Sequence, residues 1–319
     1  MKGIGILLVM VGHVYYGYIP KLSRLIYTFH MPMFFIVAGC FSKSWTDGKS
    51  AKAAIRKSFV RLVVPMLVLH GALALWQVLL VFSKGESWIS VLRVFTTALW
   101  ADVYGPSTLL GPNPLGISWF LMSLFVAKTA LLFLSRLKGW ALPISLLMAV
   151  AAILLHKVFP YSIWCITLGM TVLPFVTLGW WVRQHKVPVW IIVILVLCWP
   201  MEYLFVDSPD IYCFLWPCWP VNVLGACGGT YVLYFFSKFL ATRTKYVSSL
   251  FAYLGVISLV VMCVHGFEID AGLGSLLCSI MGLELPVWAM YVWRYLLTIA
   301  FAVAIAQIST KRRVTPIRP

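Results

Sequence analysis

Lys2-Gly-Ile-Gly-Ile-Leu-Leu-Val-Met-Val-Gly-His13 is a run of apolar residues opened by a base and leading to an imidazole. A second stretch, Thr28-Phe29-His30-Met31-Pro32-Met33-Phe34-Phe35, repeats the theme. Read as a helix rising 1.5 Å per residue, the first run carries His13 about 16 Å from Lys2, near the middle of a bilayer. An ionisable group at that depth costs about 2.5–3.5 kcal/mol on insertion scales. A neutral imidazole is the less costly case, and its unperturbed pKa of about 6.5 suits it to moving protons near neutral pH. Two readings stand side by side: a buried site, or packing histidines hydrogen-bonded between helices.

The remainder of the 319-residue chain follows the same pattern. It is 62% hydrophobic and 11% charged, with a mean hydropathy of +0.96, which excludes an ordinary soluble domain. The apolar runs are continuous rather than alternating, which excludes a closed barrel and leaves an all-α polytopic membrane protein. The first run has no small-x-small cleavage site and leads straight into further runs, so it is not a cleaved signal. About ten transmembrane helices are expected, roughly at 3–19, 25–42, 60–82, 118–135, 140–156, 163–182, 188–205, 220–237, 250–267 and 287–308. They form one membrane domain over 1–319 without a soluble appendage.

A net charge of +16 raises nucleic acid as a partner, and the placement of the charges argues against it. With the N-terminus inside, eighteen Lys and Arg fall on the inner side and five on the outer side, leaving Lys128 and Arg294 within spans. That bias predicts both termini in the cytoplasm. Eight of the nine acids fall outside, and Asp47 falls inside. Eight cysteines show no zinc spacing. Cys213 and Cys218 share one short outer loop, where they are either a disulfide or free packing thiols.

The longest non-spanning stretch, 83–117, holds an amphipathic part from Trp88 to Trp100, followed by proline- and glycine-rich segments. With the loops at 206–219 and 268–286 it forms an acidic, aromatic outer face. Such a face suits sugar binding, and equally suits an interfacial aromatic belt.

Depth arguments bring chemistry-bearing residues together. The short connection between the first two spans makes them antiparallel neighbours, so His13 and His30 are expected to approach each other. Gly12 and Gly17 permit close helix approach, and Pro32 frees carbonyls near His30. His265 ends the ninth span, and Arg294 lies about seven residues into the tenth, at similar depth. Arg294 keeps its proton, so it needs an anion, and Glu268 is the local candidate. Lys128 is either structural or snorkels inward. On the inner face, Lys49, Lys52, Arg56, Lys57 and Arg61 lead into the third span. They serve either as a topology signal or as a phosphate-binding patch for a nucleotide-like donor.

These segments resemble the acyltransferase-3 family of integral membrane acyltransferases, and most of all its fucose 4-O-acetylase-like branch. The likeness covers nearly the whole chain. It rests first on Lys2-Gly-Ile-Gly with Gly12-His13, and on Phe29-His30-Met31-Pro32-Met33-Phe34-Phe35 with Gly39. Weaker support comes from Trp119-Phe120-Leu121, Leu173-Pro174-Phe175 with Gly179, and Tyr253-Leu254-Gly255 with Ser258-Leu259 and His265. Two features depart from the family pattern. Its two arginines separated by two residues are replaced by Arg56 and Lys57-x-x-x-Arg61. Its short polar lead with an Asp is missing before Lys2, which points to a truncated or mis-assigned start.

The resemblance implies transfer of an acyl group, usually acetyl, from cytosolic acyl-CoA to a hydroxyl of an extracytoplasmic glycan or its lipid-linked precursor. It implies a multi-pass protein of the bacterial inner membrane. Acetyl-CoA is then a donor substrate rather than a resident cofactor, and no metal is required. Acyl transfer needs a base for the hydroxyl proton and a donor for the oxyanion. His13 is the expected base, or a transient acyl carrier. Lys2 is expected to orient the donor, and His30 to orient His13 or stabilise the oxyanion. Arg56, Lys57 and Arg61 are expected to hold the CoA phosphates, and His265, Arg294 and Glu268 to bind the acceptor. Expected partners are acyl-CoA, a carbohydrate acceptor, the lipid bilayer and glycan-assembly proteins. A secondary transporter or flippase with His and Arg sites is the competing reading. A non-catalytic glycan-assembly partner is the third.

Overall fold

Backbone polar groups in a chain this apolar have no water to bond to, so each long run satisfies them internally as a helix. The computed structural model describes residues 1–14, 20–104, 119–160 and 162–314, and every element longer than a single β-bridge among them is helical. Gly17 and the Pro/Gly-rich part of the 83–117 stretch lie outside the described residues. Among the described residues, six helical stretches are long and apolar enough to cross a membrane: Pro20–Cys40, Gly48–Ser83, Trp119–Val158, Ile163–Val182, Trp219–Arg243 and Val287–Ile308. A bent pair, Lys245–Val256 with Ser258–Ala271, raises the number to seven if it counts as one span. Lys2–His13 and Val189–Phe205 are apolar but shorter.

The chain divides into two compact units, Arg24–Tyr234 and Met1–Ser23 with Phe235–Pro319. Four helices of the chain's first part are α1 (Lys2–Val14), α2 (Pro20–Tyr27), α3 (His30–Cys40) and α4 (Gly48–Ser83). The larger unit takes in α2 from Arg24, α3 and α4, then α5 (Trp88–Tyr104), α6 (Trp119–Leu134), α7 (Ala141–Val158), α8 (Ile166–Val182), α9 (Val189–Phe205) and, as far as Tyr234, α10 (Trp219–Arg243). Its centre is α8, on which Leu168, Val172, Leu173 and Val176 are fully buried. A Cβ on Gly39 of α3 would fall on the Val176 carbonyl, and one on Gly179 of α8 would fall on the Ile36 carbonyl. The two backbones therefore touch reciprocally, which only glycine allows. Lipid gives no hydrophobic drive for helix association, so such close contact is what holds spans together.

Two expected spans differ in outline, and the expected break between 135 and 140 is found at Lys138. The third span begins twelve residues earlier, at Gly48, where Asp47 caps α4 by accepting from the Ser50 N–H at 2.8 Å. The basic residues are thus helical, and a 36-residue helix of about 54 Å overruns a hydrocarbon core of about 30 Å. Trp119–Val158 is helical throughout but breaks at Lys138, whose φ of 48° and ψ of −112° lie outside the helical region. The ninth span is two helices, α11 (Lys245–Val256) and α12 (Ser258–Ala271), bent by 68°. At the bend Ile257 leaves helical geometry, and the Ser258 hydroxyl donates to the Gly255 carbonyl at 3.0 Å.

The amphipathic stretch is α5, and its Trp88, Ile89, Leu92, Phe95 and Leu99 side chains face outward. That spacing gives one apolar stripe.

The smaller unit joins α1, α11 and α12 to α13 (Leu273–Ile280) and α14 (Val287–Val314). Gly3 lets α1 lie against α11, because a Cβ there would fall on the Phe251 carbonyl. The Tyr295 hydroxyl of α14 donates to the Leu7 carbonyl of α1 at 2.9 Å.

Candidate active site

The smaller unit gathers four chemistry-bearing side chains. On α12, His265 and Glu268 are three residues apart and share a face. They are 1% and 2% exposed. Arg294 of α14 grips Glu268 with two bonds, Nε to Oε1 at 2.6 Å and Nη2 to Oε2 at 3.2 Å. This planar fork is the strong form of the pair, and it cancels both charges in place.

Chain reversal at Gly272, with φ of +62°, turns α12 into α13. Gly274 then leaves room for the pair: a Cβ there would come 2.6 Å from Arg294 Cγ and 2.9 Å from Glu268 Oε1.

His13, in the last turn of α1, faces this group. Its ring centroid is 5.9 Å from that of His265, with the planes at 49°. His13 extends a stripe through Gly3, Ile6 and Met10, spaced three, four and three residues apart, and Ile6 and Met10 are buried. Neither ring nitrogen of His265 has a hydrogen-bond partner among the described residues. A buried polar group without a partner is rare enough to need a reason.

Of the other sequence-nominated residues, Lys2 belongs to the smaller unit, and His30, Arg56, Lys57 and Arg61 belong to the larger. Lys2 is exposed at the opposite end of α1 from His13, with its Cβ within 3.5 Å of where a Cβ on Gly255 would lie. His30 belongs to the larger unit, where it is 3% exposed. Its Nδ1 donates to the Ile26 carbonyl at 3.0 Å, and its ring meets Tyr27 at 4.8 Å. That carbonyl also accepts from the Phe29 N–H at 3.2 Å, whereas Pro32 removes a donor from the Thr28 carbonyl, so the His30 bond is not the one expected from Pro32. Arg56, Lys57 and Arg61 are exposed on α4, also in the larger unit. With Lys49 and Lys52 they cover about half the helix circumference at 100° per residue. None of these five has an acidic partner among the described residues.

Sequence reasoning missed Glu202. Counted among the outer acids, it is instead 0% exposed within α9. Its Oε1 accepts from Asn222 Nδ2 at 2.9 Å, and a Cβ on Gly225 would fall on its Oε2. Asn222 also ties down the following loop, bonding the Asp207 carbonyl at 3.0 Å and the Cys218 N–H at 2.9 Å. An acid inside one apolar run and an amide inside the next was the available signal. Cys213 and Cys218 of that loop are free thiols. Burial, and then Asp210, push the Cys213 thiol up to about 11.

Comparison with known families places the chain as a whole. A family model described as an acyltransferase domain, Acyl_transf_3, matches residues 1–311. The chain belongs to the acyltransferase-3 family. The match spans both units and includes His13, His265, Glu268 and Arg294. No match was found among curated proteins or among solved structures. An acyltransferase-3 membrane protein with several apolar helices is consistent with an acyltransferase working in a multi-pass setting.

Proposed function

We propose that this acyltransferase-3 protein moves an acyl group, acetyl in the first instance, from cytosolic acyl-CoA to a hydroxyl of an extracytoplasmic glycan or its lipid-linked precursor. The reading includes the fucose 4-O-acetylase-like branch, the bacterial inner membrane, and ten spans with both termini cytoplasmic. Ten is reached by dividing Trp119–Val158 at Lys138, taking the bent pair as one span, and adding Lys2–His13 and Val189–Phe205. The observation that carries the reading is the buried His265 set against His13 beside a neutralised Arg294–Glu268 pair.

In this mechanism His13 takes the proton of the acceptor hydroxyl as its oxygen attacks the thioester carbon. The carbon–sulfur bond then breaks, and the proton passes from His13 to the departing thiolate. Lys2 orients the donor. His30 acts from the larger unit, where its Nδ1–H is committed to Ile26. Arg56, Lys57 and Arg61 hold the CoA phosphates by charge-assisted bonds, and His265, Glu268 and Arg294 form the acceptor wall.

Membranes bearing the wild-type chain or His13→Ala, given radiolabelled acetyl-CoA, test the proposal. Base-labile label is expected in the glycan fraction with wild type and not with the variant at equal expression. Unlabelled glycan from wild type would overturn the proposal and favour substrate uptake by a transporter. Equal label from both would remove His13 from the chemistry.

A further inference from the structure

We infer that the acceptor hydroxyl binds between the two imidazoles, with His265 donating to its oxygen while His13 takes its proton. This inference rests on the acyl-transfer reading and assigns His265 a specific atom to touch. At 5.9 Å and 49° the rings neither stack nor bond to each other. One oxygen accepting and donating bonds of about 2.8 Å fills such a gap. The chemistry matches as well. A neutral imidazole offers one N–H and one lone pair, and a hydroxyl offers one O–H and two lone pairs.

Among the described residues, Glu268, Arg294 and His13 bear on the His265 ring. Glu268, on its own helix, accepts from Arg294 at both oxygens and makes no bond to the His265 ring. Arg294 on α14 is a donor and cannot accept from it. His13 on α1 faces it with ring centroids 5.9 Å apart. The absence of a protein partner at either ring nitrogen therefore reads as a seat for substrate.

During transfer the acceptor oxygen forms its bond to the thioester carbon as its proton moves to His13. The His265 N–H holds the oxygen in line throughout and keeps its own proton. Carbon–sulfur cleavage then releases the thiolate, which takes the proton from His13. Atoms and charge balance without an oxidant, a metal or a covalent enzyme intermediate.

The test compares His265→Gln and His265→Leu with wild type in membranes supplied with radiolabelled acetyl-CoA and their own glycan fraction. Initial rates are measured over a range of glycan concentrations, and acetyl-CoA binding and the melting temperature of detergent-purified protein are measured alongside. We expect the Leu variant to lose transfer by about 10²-fold, the scale of one positioned proton-handling group. We expect the Gln variant, which keeps an N–H, to retain several-fold more activity than Leu with a raised glycan KM. Acetyl-CoA affinity should be unchanged in both. Transfer by the Leu variant within twofold of wild type would overturn the inference while leaving acyl transfer standing. Equal losses in Gln and Leu, tracking a lowered melting temperature or lost acetyl-CoA binding, would also overturn it, because they mark a structural role. Absence of ester from wild type would overturn acyl transfer itself, and this inference with it.

Discussion

Breaking the Arg294–Glu268 pair should cost far more than removing the pair altogether. At about 3 Å and an effective dielectric near 20, the gross attraction is on the order of 5 kcal/mol. Arg294 is 19% exposed and Glu268 2%, so solvent screens little of it. Arg294→Met leaves a buried carboxylate without its cation, and Glu268→Leu leaves a buried guanidinium without its anion. Each should destabilise the protein by about 3–5 kcal/mol, whereas the double variant should recover most of that loss. An ordinary interhelical hydrogen bond in a membrane couples two residues by only about 0.6 kcal/mol. With singles of about 3–5 kcal/mol each and a double costing about 1 kcal/mol, the cycle gives a coupling of at least about 5 kcal/mol, which is diagnostic of the ion pair. Unfolding in mixed detergent–SDS micelles, followed by tryptophan fluorescence, supplies the four free energies of the cycle. A double variant that falls by the full sum of the two singles would refute the reasoning.

Four further outcomes are expected. Gly39→Leu and Gly179→Leu each push a side chain into a backbone carbonyl and should destabilise by at least about 1–3 kcal/mol in the same unfolding assay. Gly71→Ala, where nothing lies within 4 Å, should be neutral or stabilising by up to about 1 kcal/mol. Replacing Arg56, Lys57 and Arg61 together by Gln should raise the acyl-CoA KM several-fold, leave kcat near wild type and flatten the salt dependence; steady-state kinetics at two ionic strengths checks this. The Asp47 carboxyl is held below the ordinary carboxylate range by the Ser50 N–H, then by Thr46. Its contribution to α4 is therefore complete above the unfolded-state value and is lost as pH falls through the folded-state value. Hydrogen exchange of the first turn of α4, corrected for intrinsic rates, should accelerate below about pH 4 in wild type but not in Asp47→Ala.

The fold class was legible because hydropathy reports burial in lipid residue by residue. Continuous apolar runs imply helices, and each described run is helical. Boundaries were less legible, because charge and helix are independent properties. Lys49 to Arg61 read as a loop by charge, yet Asp47 supplies a cap and the helix starts there. The bend at Ile257 left no proline to betray it. The site was half legible. Arg294 without an anion demanded a partner, and Glu268 was the near candidate, as found. That His13 faces His265 was not legible. Loop length pointed from α1 to its sequence neighbour, and His265 lies some 250 residues away in the chain. Non-local contacts of that kind are decided by helix packing, and hydropathy does not encode which helix lies beside which.

What does encode it is the set of small residues inside the resemblance motifs. Gly3 accompanies Lys2 in the first motif, and its missing Cβ is where Phe251 and Gly255 of α11 approach. Gly39 closes the second motif and Gly179 closes the sixth-span motif, and these two meet each other's helices. The glycines thus fix which helices touch and at what rotation, while the histidines carry the proposed chemistry. The division has a physical reason. A hydrogen bond or proton transfer tolerates a few tenths of an ångström, but a helix crossing through backbone contact tolerates no added carbon at all. In α1 both demands fall on one stripe, since His13 continues the line of Gly3, Ile6 and Met10. The glycine that seats α1 on α11 therefore also sets the angle at which His13 meets α12. The first motif holds a base, a glycine and a histidine because Gly3 sets the crossing that brings His13 to His265.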